Sequence, residues 1–322
     1  MDWLLAALGL VILLLAGDSL VRGAVNLALR MGIPALVVSL TIVAFGTSAP
    51  ELLIAIKAVA DNAPDIAMGN VVGSNTANIL MVLGFPALLA AMHTSECDTR
   101  KNYLYMIASS VLFIALAFRG VFDVLAGVVL LAALAAVLTD SFLHARNHRR
   151  DTRAAEAAMD SDELEDLEGA DPELPWWKIG VFLLLGLIGL PLGADILVDS
   201  SVNIARDFGV TETVIGLTLV ALGTSLPELA TTVMAALRRQ ADVALGNVIG
   251  SNMFNLLAII GITALLGEIP VDPQFLKFDL WVMLASSLLL IPFVFLKRDI
   301  TRSWGVLLVG LYLAYISAVV LS

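Results

Sequence analysis

Cysteine and histidine are almost missing from this sequence. Cys97 is the one cysteine in 322 residues, so no disulfide can form within the chain and thiol usage carries no information on compartment. Histidine occurs three times. Charge is scarce as well: 15% of residues are charged against 59% hydrophobic, and the mean hydropathy is +0.94. That balance excludes an ordinary soluble domain of this length. The alternation of a half-buried strand is missing, which excludes a membrane β-barrel. No HExxH or other catalytic pattern occurs and no nucleophile stands out, so an intramembrane hydrolase is disfavoured and no enzyme is expected.

What is present is apolar sequence in long runs. Ten segments lie at approximately 3–30, 33–59, 65–91, 103–119, 121–143, 176–205, 210–237, 242–267, 278–297 and 301–321. A helix crossing ~30 Å of hydrocarbon needs about 20 residues, so the expectation is an all-α integral membrane protein with ten transmembrane helices. The first segment has Asp2 where a signal peptide would be basic and no small-residue cleavage site, which marks a retained helix.

The only long polar stretch runs from His144 to Pro175. It opens with Arg146, Arg149, Arg150 and Arg153, then holds ten of the 29 acids, so most of the formal charge of −11 belongs to one solvated linker. It lacks the spaced pattern of a calcium loop. The chain therefore divides into a first five-helix half, 1–143, an acidic linker, 144–175, and a second five-helix half, 176–322. Loops after odd-numbered segments carry thirteen Lys and Arg, those after even-numbered segments four. The positive-inside bias places the linker in the cytoplasm and both termini outside.

The two halves repeat one another. An offset of 177 pairs Asp18 with Asp195, Gly32 with Gly209, Gly46 with Gly223, Asn70 with Asn247 and Gly84 with Gly261, without a gap. Five segments per half is an odd number, so the second half enters from the opposite side. Such inverted repeats place substrate sites at their interface near the bilayer midplane, on broken helices.

Two patches in each half carry chemistry. The first is Gly46-Thr47-Ser48-Ala49-Pro50-Glu51, answered by Gly223-Thr224-Ser225-Leu226-Pro227-Glu228. A carboxylate at the bilayer centre costs roughly 2.5–3.5 kcal/mol on insertion scales and marks function. Proline removes a helix hydrogen bond, so both helices should break and free backbone carbonyls. Helical spacing would set Thr47 beside Glu51 and Thr224 beside Glu228. The second patch is Gly69-Asn70-Val71-Val72-Gly73-Ser74-Asn75-Thr76-Ala77-Asn78, answered by Gly246-Asn247-Val248-Ile249-Gly250-Ser251-Asn252-Met253-Phe254-Asn255. Its glycine pairs should permit close helix contact, and Ser74/Asn78 and Ser251/Asn255 are again four apart. Two glutamates, hydroxyls, amides and freed carbonyls make an all-oxygen set suited to a hard cation such as calcium, which takes six to eight oxygens. With no His or Cys in the set, zinc, copper and iron are disfavoured. Asp18 and Arg22, four apart, read as a structural ion pair that Asp195 and Asp199 repeat without the cation.

These paired G-T-S-x-P-E and G-N-V-[VI]-G-S-N patches, their order and the acidic linker resemble the calcium/cation antiporter superfamily, specifically its bacterial and archaeal sodium/calcium exchangers. The resemblance spans nearly the whole chain. It implies ten helices, with the first and sixth sliding past a core. It also implies ligands at Glu51 and Glu228, at the hydroxyls of Thr47, Ser48, Thr224, Ser225, Ser74 and Ser251, and at the carbonyls of Ala44 and Ala221. Asn255 stands where potassium-dependent relatives carry Asp, so the chain resembles the potassium-independent type. The function so implied is exchange of Na⁺ for Ca²⁺ across a bacterial or archaeal inner membrane, by a monomer with no cofactor and no nucleic-acid partner. The amides Asn78 and Asn255 complete the expected site. The nearest rival is a calcium/proton exchanger using the same two glutamates; a passive channel is a further alternative.

Overall fold

The computed structural model describes residues 1–156, 174–209 and 221–321, with 144–156, 221 and 320–321 described by backbone alone. In hydrocarbon every backbone N–H and C=O needs a partner within its own segment, so apolar runs become helices. In chain order these are α1 (Asp2–Met31), α2 (Ala35–Thr47), α3 (Ala49–Ala60), α4 (Pro64–Leu89), α5 (Arg100–Ala117) and α6 (Val124–Glu156), then α7 (Trp176–Asp207), α8 (Leu226–Leu237), α9 (Ala241–Leu266), α10 (Phe275–Phe295) and α11 (Arg302–Leu321). Among the described residues the one paired sheet is β1 (Val121–Phe122) against β2 (Ile269–Pro270), which ties the two halves together at one rim.

Seven of these helices are long and apolar enough to cross a membrane, eight if α2 and α3 count as one bent span. Each expected segment contains helix, but α5 and the short α8 fall outside that test. The segment leading into α8 lies largely outside the described residues, as does most of the acidic linker.

Helix boundaries follow the sequence. α1 ends on Gly32, whose φ of 63° is a left-handed conformation that glycine adopts without strain, and the Ile33 N–H closes the turn on the Ala28 carbonyl. Gly209, its partner at offset 177, ends α7 the same way with φ 76°. The expected proline breaks are present: α2 and α3 meet at 42° across Ser48, and α8 starts on Leu226-Pro227 after a turn at Thr224 and Ser225.

Burial grades sharply across the molecule. α4 and α9 are 78% and 89% buried over their most apolar stretch and form its centre, whereas α1 and α7 are 33% and 22% buried and lie at its edge. α1 and α7 pack along each other for most of their length. Small residues permit this: a Cβ on Gly9 would stand 2.7 Å from the Leu197 nitrogen, and one on Gly193 would stand 2.9 Å from the Leu13 nitrogen.

The second-half glycine pair does what its spacing predicts, since a Cβ on Gly246 would stand 2.8 Å from the Leu36 carbonyl oxygen of α2. The segment that Gly69 and Gly73 would meet by the same offset lies largely outside the described residues. Among the described residues these two glycines line a cavity of about 610 Å³, together with Asp65, Asn70, Ser74 and Thr224.

Candidate functional site

The break at Ser48 decides the site. With φ −84° and ψ 4° this residue leaves the helical path, so Thr47 and Glu51 no longer share a face. The expected Thr47–Glu51 pairing is therefore not formed. Thr47 instead turns across the interface: its hydroxyl reaches the Asn247 Oδ1 at 3.3 Å and the Ser251 Oγ at 3.5 Å, besides the carbonyl of Ala44 at 3.3 Å. Ser48 likewise donates to the Glu228 Oε1 at 3.2 Å, and Ser251 donates to the same oxygen at 3.4 Å. One hydroxyl from each half thus serves the carboxylate of the second.

Both carboxylates are deeply enclosed. Glu51 and Glu228 are each 1% exposed, and their charges lie close enough to act on one another. Among the described residues their Oε2 atoms have no hydrogen-bond partner, and the same holds for the Ser225 Oγ and for the side-chain oxygens of Asn75, Asn78 and Asn255. A buried polar atom left unpaired costs about 1–3 kcal/mol, more when charged. So many at one place fits a site whose partner is a cation rather than another side chain.

The amides sit where the central helices cross. Asn78 opens an irregular wide turn of α4 (Asn78–Val82), and Asn255 lies in the matching turn of α9 (Phe254–Ile259). Asn78 keeps the regular backbone bond to the Ser74 carbonyl, but its side chain donates to the Asn252 Oδ1 at 3.1 Å rather than pairing with Ser74, and Asn252 donates to the Asn75 carbonyl at 3.3 Å. Ser74 is buried and faces the cavity; Ser251 and Asn255 are fully buried. The Ala44 carbonyl also accepts the Ser48 N–H at 3.0 Å, so both of its lone pairs are engaged within the chain. Ala221 lies in the helical turn just before Thr224.

Three residues outside the expected set belong to the cluster. Asn247 accepts from Thr47, donates to the Thr232 hydroxyl at 3.2 Å and to the Glu228 carbonyl at 3.4 Å, and so joins α2, α8 and α9. Asn70, its partner at offset 177, accepts from Thr224 at 3.4 Å. The repeated G-N-V triplet signals both. No such signal marks Thr232. Among the described residues no group of three or more His, Cys, Asp and Glu could hold a metal, so the donor set is two carboxylates embedded in hydroxyls and amides.

The sodium/calcium exchanger protein family matches residues 1–142 and 178–321, which is all of the chain except the linker region and its last residue. The chain belongs to that family. It is 35% identical over 340 aligned positions to the sodium/calcium exchanger MaX1 of Methanosarcina acetivorans, covering 98% of this chain and 97% of the relative. It is 31% identical to the inner membrane protein YrbG of Escherichia coli, covering 97% and 95%. Among solved structures it superposes on the sodium-calcium exchanger NCX_Mj with a TM-score of 0.81 at 30% identity, covering 99% of this chain and 98% of the other. The resemblance carried by the two patches is thus a family relationship across the full length, and the chain is a multi-pass membrane protein of the cation antiporter type.

Proposed function

We propose that this chain exchanges Na⁺ for Ca²⁺ by alternating access to one all-oxygen site. The observation that carries the reading is the shared carboxylate shell: Glu228 from one half accepts hydrogen bonds from Ser48 of the other and from Ser251, while Glu51 and Glu228 each keep one buried oxygen unpartnered. The ligands of the proposal are the carboxylates of Glu51 and Glu228, the hydroxyls of Thr47, Ser48, Thr224, Ser225, Ser74 and Ser251, the amides of Asn78 and Asn255, and the carbonyls of Ala44 and Ala221. Full-length similarity to a named sodium/calcium exchanger supports both substrates.

The architecture of the proposal is ten spans in two inverted halves, 1–143 and 176–322, joined by the 144–175 linker. The matched helix bounds support it: an offset of 177 carries α3 onto α8 residue for residue, and the start of α4 onto the start of α9. The charge asymmetry of the loops places the linker in the cytoplasm and both termini outside. Each half then contributes one broken helix and one central helix to a site between them.

Coupling follows from charge. Two carboxylates balance one Ca²⁺ or two Na⁺, and the two ions are close enough in size to compete for the same oxygens. A third Na⁺ per cycle would move net charge, worth ~2.3 kcal/mol per 100 mV. Emptied, the site holds two like charges in a dry cavity, which opposes reorientation until cations neutralise them. Glu51→Gln and Glu228→Gln should each abolish radiolabelled calcium flux in proteoliposomes while the protein remains folded and monodisperse. Sustained exchange in either variant refutes the assignment.

A further inference from the structure

We infer that Asp18 and Arg238 form a latch that holds the helix pair α1–α7 against one edge of the core, keeping the cation site closed on that face and biased toward the other. Asp18, in the middle of α1, is bonded to Arg22 one turn later at 3.0 Å and to Arg238 at the end of α8. Arg238 and Asp18 are only 17% and 19% exposed, against 44% for Arg22. The bond between helices is therefore the better shielded of the two, and the less screened by solvent.

The internal repeat supplies the contrast. Offset by 177, Asp18 corresponds to Asp195, Arg22 to Asp199 and Arg238 to Asp61. One edge of the core thus presents an acid held by two arginines, and the corresponding edge presents three acids with one cation, Lys57, where the first edge has Met234. Packing shows the same asymmetry. α1 lies along α8, where a Cβ on Gly17 would stand 3.0 Å from the Ala230 carbonyl, whereas α7 makes no comparable contact with α3. Asp61, Asp195 and Asp199 are all exposed, while Asp18 is half-buried.

The consequence is energetic. α1 and α7 touch backbone to backbone at Gly9, Gly186 and Gly193, so they behave as one body with two similarly built edges to dock on. Attraction at the Arg238 edge and repulsion among acids at the Asp61 edge favour the same placement. The latch rests on the antiport reading only in that closing one edge at a time is what alternating access requires.

The test uses Met234, which abuts Gly17 of α1 one turn before Arg238. Met234→Cys in a Cys97→Ser background is labelled with a membrane-impermeant maleimide added at the Arg238 face. For an equilibrium of about 10:1, a tenfold weakening of the latch raises the minor state from roughly 9% to roughly 50%. Arg238→Gln should therefore speed labelling about fivefold, and Arg238→Lys should restore most of the protection. Asp61→Arg, which offers Asp195 and Asp199 a cation, should speed labelling in a chain whose Arg238 is intact. Unchanged labelling in Arg238→Gln, or equal acceleration by Arg238→Lys, overturns the latch. Sodium-driven calcium flux of the wild-type chain is measured in parallel, and its absence would overturn the antiport reading while the labelling rates still decide the latch.

Discussion

Replacing Glu228 with Gln should make the cation-free protein more stable while removing its response to calcium. Glu228 and Glu51 are both 1% exposed and their charges interact. For a separation on the order of 5 Å and an effective dielectric of about 20, like charges repel by ~3 kcal/mol. Glutamine keeps an oxygen for Ser48 and Ser251 and places its NH₂ where the unpartnered Oε2 now lies. A buried donor without an acceptor costs about 1–3 kcal/mol, which is set against that relief. The net gain is about 0–2 kcal/mol, read as a rise of up to a few degrees in Tm in sodium-free, chelator-containing detergent solution. Wild type should gain ~2.7 kcal/mol when calcium is raised to about 100 times its Kd, and Glu228→Gln should gain almost nothing. A variant that is less stable than wild type without cations, yet still stabilised by calcium, refutes the argument on both counts.

Asn247→Ala removes the partner of Thr47, Thr232 and the Glu228 carbonyl at once; it should destabilise the protein by about 1–3 kcal/mol and weaken calcium binding about tenfold, checked by thermal shift and calcium titration. Gly250→Ala should cost about 1–3 kcal/mol in chemical or thermal denaturation, because its Cβ would lie 2.6 Å from the Ala44 Cβ. Cys97 lies in the loop between α4 and α5, where burial and then the hydrogen-bonded Asp242 carboxylate raise its thiol well above the ordinary value. The thiolate is the reactive form, so Cys97 should react with maleimide at pH 7 to 8 at least tenfold more slowly than an exposed thiol, and Asp242→Asn should speed it.

Much of this was legible in the sequence because it depends on local composition and on the repeat. Pro50 and Pro227 announce the helix breaks, Gly32 and Gly209 the helix ends, and the offset of 177 pairs the elements of one half with those of the other. What was not legible depends on where a broken helix points. The four-residue spacing of Thr47 and Glu51 assumes a continuous helix, and the turn at Ser48 that makes the site also voids that assumption, sending Thr47 across to Asn247 and Ser251. Asn78 and Ser251 likewise turn to other helices, Asn78 to Asn252 and Ser251 to Glu228, which four-residue spacing along one helix does not foretell. Asp18 and Arg22 were visible as an ion pair, but Arg238 joins them from 216 positions beyond Arg22, and only the packing of α1 on α8 brings it there.

The central claim is that one oxygen-lined site trades calcium for sodium. Its most direct test is radiolabelled calcium uptake into proteoliposomes holding the purified chain, with sodium and proton gradients imposed independently. Uptake should follow an outward sodium gradient, vanish when that gradient is collapsed, and persist when the pH gradient alone is removed. Uptake that follows the pH gradient and ignores sodium would contradict the account.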